Sequence, residues 1–208
     1  MFMITSIKSS FLEYKMTILR NKKTSNSLFR QTMNEVSYLI AAEVLKHLKY
    51  KKITVQTPLI KTKGLDLAQQ VILVPILRAG LGLLEGFVKF LPDAEKGHIG
   101  LYRNEQTYEP VEYLCKLPKT KNKTVLVLDP MLATGNSSIA AINLIINKNV
   151  NIKNIFLVSL LAAPEGIKNL QKKHKSLHIF TCKIDDKLIK NKFIVPGLGD
   201  AGDRYMGT

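Results

Sequence analysis

Asp129 follows the apolar run Val125 to Leu128 and stands just before Ala133-Thr134-Gly135-Asn136-Ser137-Ser138. The run reads as a fully buried strand. The residues beyond the loop, Ile139-Ala-Ala-Ile-Asn-Leu-Ile-Ile, read as a helix. An acid at the carboxyl end of a strand, a short loop with a Gly and three hydroxyl side chains, and then a helix can hold a phosphate beside a sugar. Backbone N–H groups at a helix amino end attract an anion, and the helix dipole adds to the attraction. Asp129 is placed to accept hydrogen bonds from sugar hydroxyls. The loop has neither the Lys of a GxxxxGK(S/T) nucleotide loop nor GxGxxG spacing, so it suits one phosphate. The competing reading is ordinary strand–turn–helix grammar with Thr and Ser as caps.

Two further stretches carry chemistry. Val74-Pro-Ile-Leu-Arg78-Ala-Gly80-Leu-Gly82 ends a second apolar run with an arginine and two glycines. The planar arginine fork makes paired hydrogen bonds to oxygen-rich anions, and glycine lets backbone approach them closely. Arg103 stands just past another apolar stretch, Ile99-Gly-Leu-Tyr. Near the C-terminus, Phe193-Ile194-Val-Pro-Gly-Leu-Gly199-Asp200-Ala201-Gly-Asp203 is too rich in Gly and Pro for helix or strand. Such a loop can present backbone N–H and C=O groups to the edge of a planar heterocycle.

The elements that must position these residues alternate. Residues 1–27 read as an arm and turns. Leu28 to Leu48 reads as a helix, with Phe29, Met33, Val36, Ile40, Val44 and Leu48 at three- and four-residue spacing. A short extended piece is expected at Ile53-Thr-Val, a strand from Val71, a helix over Leu81 to Phe90 and a strand at Ile99 to Tyr102. Residues 104–118 read as a polar hairpin excursion. Strands follow at 125–128, 155–161 and 177–182, with a helix starting at Pro164. This alternation predicts an α/β fold with a mainly parallel central sheet flanked by helices, and ligands at the carboxyl ends of the strands.

The chain has 208 residues, enough for one domain, and 46% hydrophobic residues. No apolar run reaches membrane-spanning length, and the start does not read as a signal peptide, so the cytoplasm is expected. Cys115 and Cys182 have no metal-type spacing and are expected to be free thiols. His174 and His178 stand four apart, but the second enters a strand, so no metal pair is expected. The net charge is +15. The lysines are dispersed and not interleaved with aromatics, so a solvated basic surface is expected rather than a nucleic-acid face. Its field favours capture of an anionic substrate.

Asp129-Pro130-Met131-Leu132-Ala133-Thr134-Gly135 resembles the phosphoribosyl-diphosphate (PRPP) loop of the type I phosphoribosyltransferases, in the form found in the uracil phosphoribosyltransferase family. Leu19-Arg20, Phe29-Arg30, the Arg78 and Arg103 segments, Leu161 to Gly166 and the C-terminal loop extend the resemblance over nearly the whole chain. It departs at Ser9-Ser10, Asn136, Lys187, Ile189 and Lys192. The resemblance implies a type I phosphoribosyltransferase fold in a single domain over 1–208, with a small hood from the C-terminal region and a β-arm at about 104–118. It implies the reaction of uracil with PRPP to give UMP and diphosphate. Arg78, Arg103 and Asp200 would be the catalytic residues. PRPP would be held by these three together with Asp129, Pro130, Met131, Leu132, Ala133, Thr134, Gly135, Asn136 and Ser137. Uracil would be held by Ile194, Gly199, Asp200 and Ala201. Mg²⁺ would be carried by PRPP and diphosphate, and a homodimer or larger homo-oligomer and a GTP effector belong to the same expectation. The alternatives are a pyrimidine-responsive RNA-binding regulator on the same fold, an inactive relative, and an enzyme for a purine base.

Overall fold

The computed structural model describes residues 2–104 and 109–208. The chain begins with β1 (Met3–Ser6), α1 (Ser10–Arg20) and α2 (Asn26–Leu45). A hairpin of β2 (Tyr50–Gln56) and β3 (Lys61–Leu67) follows, then β4 (Val71–Leu77) and α3 (Leu81–Phe90). Next come β5 (Glu95–Lys96), β6 (His98–Arg103), β7 (Pro110–Lys116), β8 (Thr124–Leu128) and β9 (Met131–Leu132). The chain continues through α4 (Asn136–Ile146), β10 (Ile155–Ala162), α5 (Pro164–Lys173) and β11 (His178–Ile184). It ends with β12 (Lys187–Leu188), β13 (Ile194–Val195) and α6 (Ala201–Met206).

The central sheet has the order β1-β11-β10-β8-β4-β6-β7, with β5 and β9 attached beside β4 and β10. Its pairs are parallel except at the β6–β7 edge. The middle strands are apolar on both faces because helices cover both. Leu73, Leu126, Leu128, Val158 and Phe180 face one core with α1, α2 and α3. Ile72, Val74, Val125, Val127, Leu157 and Ile179 face the other, with α4 and α5. This mainly parallel α/β architecture is the one the alternation predicts.

Three stretches differ from the sequence expectation. Residues 1–27 contain an edge strand and a helix. In α1, Leu12, Met16 and Leu19 are buried at helical spacing, a signal diluted by the polar outer face. Residues 50–68 form a full hairpin rather than one short strand. Its two strands are largely exposed on both sides, so they lack the apolar alternation that marks a half-buried strand. Finally, α4 starts at Asn136, three residues before its apolar run, because Gly135 turns the chain with φ +82. The hairpin strand read within 104–118 is present as β7, while residues 105–108 lie outside the described residues.

Phe29 is fully buried at the start of α2, with the Arg204 guanidinium 4.3 Å from its ring centroid. It therefore joins the helical layer to α6. Phe29→Ala is expected to lower stability by about 3–5 kcal/mol, as large-to-small core changes do. Urea unfolding measures this; an unchanged midpoint would contradict the packing described.

Candidate active site

β4 and β8 pair in parallel, Val71 with Thr124 through Pro75 with Leu128. Their carboxyl ends therefore open side by side. α3 leaves β4 toward one core and α4 leaves the β8 loop toward the other. The crevice between such diverging connections is where α/β sheets bind ligands. A cavity of about 360 Å³ lies there.

The cavity brings together most of the residues singled out from sequence. Arg78, Asp129, Met131, Ala133, Thr134, Gly135 and Ser137 line it, as do Ile194, Gly199, Asp200 and Ala201. Pro130, Leu132 and Asn136 do not. The Pro130 carbonyl accepts hydrogen bonds from Leu160 and Leu161 N–H. Leu132 is fully buried and pairs with Ala162. Arg103 closes β6, and its side chain lies outside the described residues. Leu101, Lys192 and Phe193 also line the cavity and were not anticipated.

The capping residue of α4, Gly135, offers no side chain, and the Asn136 N–H makes only a long bond to Thr134 Oγ1 at 3.4 Å. The first-turn N–H groups have no partner within the helix, so the helix presents donors and the positive end of its dipole. The loop before it is fixed from behind. Gly135 and Gly166 bring the loop and α5 into backbone contact: a Cβ on Gly166 would sit 2.3 Å from the Ala133 carbonyl oxygen. Asn169 Nδ2 donates to Thr134 O at 3.0 Å and to Asn136 Oδ1 at 2.9 Å. Asn136 is helical, and the left-handed position of this loop is taken by Gly135. Lys192 does adopt left-handed backbone, φ +63, while Lys187 is extended and pairs with Val195.

Asp129 sits between the two loops. Ser138 Oγ donates to its Oδ2 at 3.1 Å. Burial raises its pKa to about 6, only partly offset by Ser138 and the Met131 N–H. Arg78 Nη2 donates to Asp203 Oδ1 at 2.8 Å, in an ion pair with both side chains about half exposed. An exposed pair of this kind contributes roughly 0–1 kcal/mol. Arg78 can therefore exchange Asp203 for an incoming anion at small cost. Asp200 caps α6 by accepting from Asp203 N–H at 3.0 Å. Among the described residues no group of three or more His, Cys, Asp or Glu side chains could hold a metal ion.

The raised pKa of Asp129 has a stability consequence. Its folded value lies above the ordinary 3.8, so its contribution favours the fold at low pH and is lost as pH rises through about 6. Asp129→Asn is expected to stabilise the unliganded protein at about pH 7.5, by at most about 3 kcal/mol at ~1.4 kcal/mol per pKa unit. The gain narrows below about pH 6 and vanishes near pH 4. Thermal unfolding across this range checks it; a variant less stable than the parent at neutral pH would contradict the assignment.

A family model for uracil phosphoribosyltransferase matches residues 6–208. The chain is 48% identical over 207 residues to the uracil phosphoribosyltransferase of Finegoldia magna, covering 99% of this chain and 98% of that one. It is 46% identical over 204 residues to the enzyme of the same name from Streptococcus thermophilus, covering 97% of each. Among solved structures, the AQ2163 protein from Aquifex aeolicus superposes with a TM-score of 0.91 at 36% identity, covering 98% of this chain and 97% of that one. A hypoxanthine-guanine phosphoribosyltransferase from Bacillus anthracis shares the fold at 10% identity, with a TM-score of 0.53 over 77% of this chain and 80% of that one. The central sheet with its flanking helices is thus a type I phosphoribosyltransferase fold, and the chain belongs to the uracil phosphoribosyltransferase family.

Proposed function

We propose that this protein joins uracil to PRPP, releasing diphosphate and forming UMP, in the cavity at the ends of β4 and β8. The observation that carries the reading is the convergence of three differently built groups on one cavity. A helix amino end with a fixed loop suits the 5′-phosphate. Asp129, beside it, suits the ribose hydroxyls. A loop rich in backbone polar groups, Gly199–Ala201, lines the same cavity.

In this reading Thr134 to Ser137 hold the 5′-phosphate through backbone and hydroxyl donors. Asp129 holds ribose, and the residues around it exclude water from C1′. Arg78 and Arg103 stabilise negative charge on the departing diphosphate. As the C1′–oxygen bond breaks, its electron pair leaves with diphosphate, C1′ becomes cation-like and N1 of uracil attacks it, the N1 proton passing to a diphosphate oxygen. Holding both substrates in register supplies much of the acceleration. A magnesium ion carried by PRPP would neutralise charge on the diphosphate. The cavity carboxylates Asp129 and Asp200 fit a cation delivered in that way, since each is a single acid rather than part of a cage. Uracil presents an O2, N3–H, O4 edge that backbone groups of Gly199–Ala201 can match. Cytosine carries an amino group where an acceptor is required, a mismatch that binding sites built on hydrogen bonds reject strongly. Cys115 and Cys182, both unpaired, suit a reducing compartment such as the cytoplasm.

Purified protein supplied with PRPP, Mg²⁺ and uracil is expected to form UMP, and to form no nucleotide from cytosine or hypoxanthine. Asp129→Asn is expected to lose on the order of 100-fold or more in kcat/KM, the scale of losing one positioned contact in the transition state. Equal turnover with hypoxanthine, or none with any base, would overturn the proposal.

The proposal extends to a homodimer or larger homo-oligomer. Support comes from the β2–β3 hairpin. Two-stranded hairpins are marginal alone in water, and this one carries Leu59 at 89% and Ile60 at 68% exposure at its tip. A second copy of the chain would cover them. Leu59→Lys with Ile60→Lys is expected to shift sedimentation toward the monomer; an unchanged assembly would remove the hairpin from the interface.

A further inference from the structure

The loop that carries the base-facing segment is tied down by charges lying far away in sequence. Gly197 follows Pro196 with φ +58, and a Cβ there would lie 2.1 Å from the Ile194 carbonyl oxygen. Both of its backbone polar groups are taken. Its N–H donates to Asp185 Oδ2 at 2.9 Å, and its carbonyl accepts from Arg20 Nη1 at 2.7 Å. Arg20 and Asp185 also form a paired fork, Nη1 to Oδ2 at 2.8 Å and Nη2 to Oδ1 at 2.7 Å.

The Asp185 side chain is only 2% exposed. Burial alone would raise its pKa, but the bonds from Arg20 and the Gly197 N–H outweigh it and hold the carboxyl below its ordinary value. Asp185 is itself fixed at the end of β11, its N–H donating to Ala162 O at 2.9 Å. One residue further along the loop, the Leu198 carbonyl accepts from Arg204 Nη1 at 2.7 Å. The loop is thus anchored at Gly197 and Leu198, immediately before Gly199–Ala201 on the cavity wall.

Building on the uracil-transferase reading, we infer that Arg20 and Asp185 are positioning residues that set the height and tilt of the Gly199–Ala201 backbone and so control recognition of the uracil edge. Neither lines the cavity. Their effect passes through Gly197, and it falls on the base more than on PRPP, whose phosphate and ribose are assigned to the α4 loop and Asp129 and only one further contact to Asp200. A fork of two parallel bonds fixes an angle that a single ammonium cannot. Hydrogen-bond recognition tolerates displacements of only about 0.5 Å before selectivity is lost.

The test uses Arg20→Lys, which keeps the charge and loses the fork, and Asp185→Asn, which keeps the shape and loses the charge. KM for uracil is measured alongside Kd for PRPP and the melting temperature. The inference predicts KM for uracil raised by about tenfold or more, with Kd for PRPP unchanged within about twofold, in every variant that folds. Arg20→Lys retains a cation beside Asp185 and so supplies a folded variant should Asp185→Asn not fold. Equal loss of both substrates, or a lowered melting temperature with KM for uracil unchanged, would overturn the inference and leave the fork as a fastening of the fold. A parent protein that binds PRPP but forms no UMP would instead overturn the enzyme reading on which the inference rests.

Discussion

The parallel pairing of β4 with β8 is the constraint from which the site follows. Parallel neighbours end at the same edge of the sheet, so the Arg78 loop and the Asp129 loop emerge together. Each strand must then be continued by a helix, and the two helices α3 and α4 pack into opposite cores. The chain cannot fill the space between them, and a crevice remains. A hairpin connection would place these two loops at opposite ends of the sheet.

The crevice is built from groups that are individually ill at ease without a ligand. The α4 amino end is capped by Gly135, which has no side chain to offer, and by one long bond from the Asn136 N–H to Thr134 Oγ1 at 3.4 Å, Asp129 is held with a raised pKa, and Arg78 pairs with a half-exposed aspartate. Each is offset by the surrounding structure: Asn169 and Gly166 behind the phosphate loop, Ser138 beside Asp129, and the α6 turn beneath Asp203. A dispersed positive charge over the rest of the surface favours approach of a highly anionic substrate. The dispersed lysines thus need no nucleic-acid partner to explain them, and no feature of the cavity favours the regulator reading.

Much of this was legible in the chain because it is written locally. The strands β4 and β8 are built on unbroken apolar runs and β10 is interrupted by Ser159 alone, and the acid-loop-helix stretch places Asp129 and Thr134 within a few residues of each other. What was not legible depends on distance or on exposure. Arg20 and Asp185 lie 165 positions apart, so nothing in either neighbourhood announces the pair. Asp203 reads as one more acid in a polar turn until α6 brings it to Arg78. The β2–β3 hairpin was legible only as the short piece Ile53-Thr-Val because both its faces are largely solvent-exposed, and α1 was missed because its outer face is polar. Pro130, Leu132 and Asn136 were grouped with the loop by sequence adjacency, whereas Leu132 is buried where β9 pairs with β10 and the Pro130 carbonyl is taken by Leu160 and Leu161 N–H.

A crystal structure of the protein with UMP tests the account most directly, because UMP carries the phosphate, the ribose and the base at once. The account predicts the phosphate at the amino end of α4, hydrogen-bonded to N–H groups within Thr134 to Ser137. It predicts ribose hydroxyls on Asp129 and the uracil edge against the Gly199–Ala201 backbone. A phosphate bound elsewhere, or a base turned away from that loop, would contradict it.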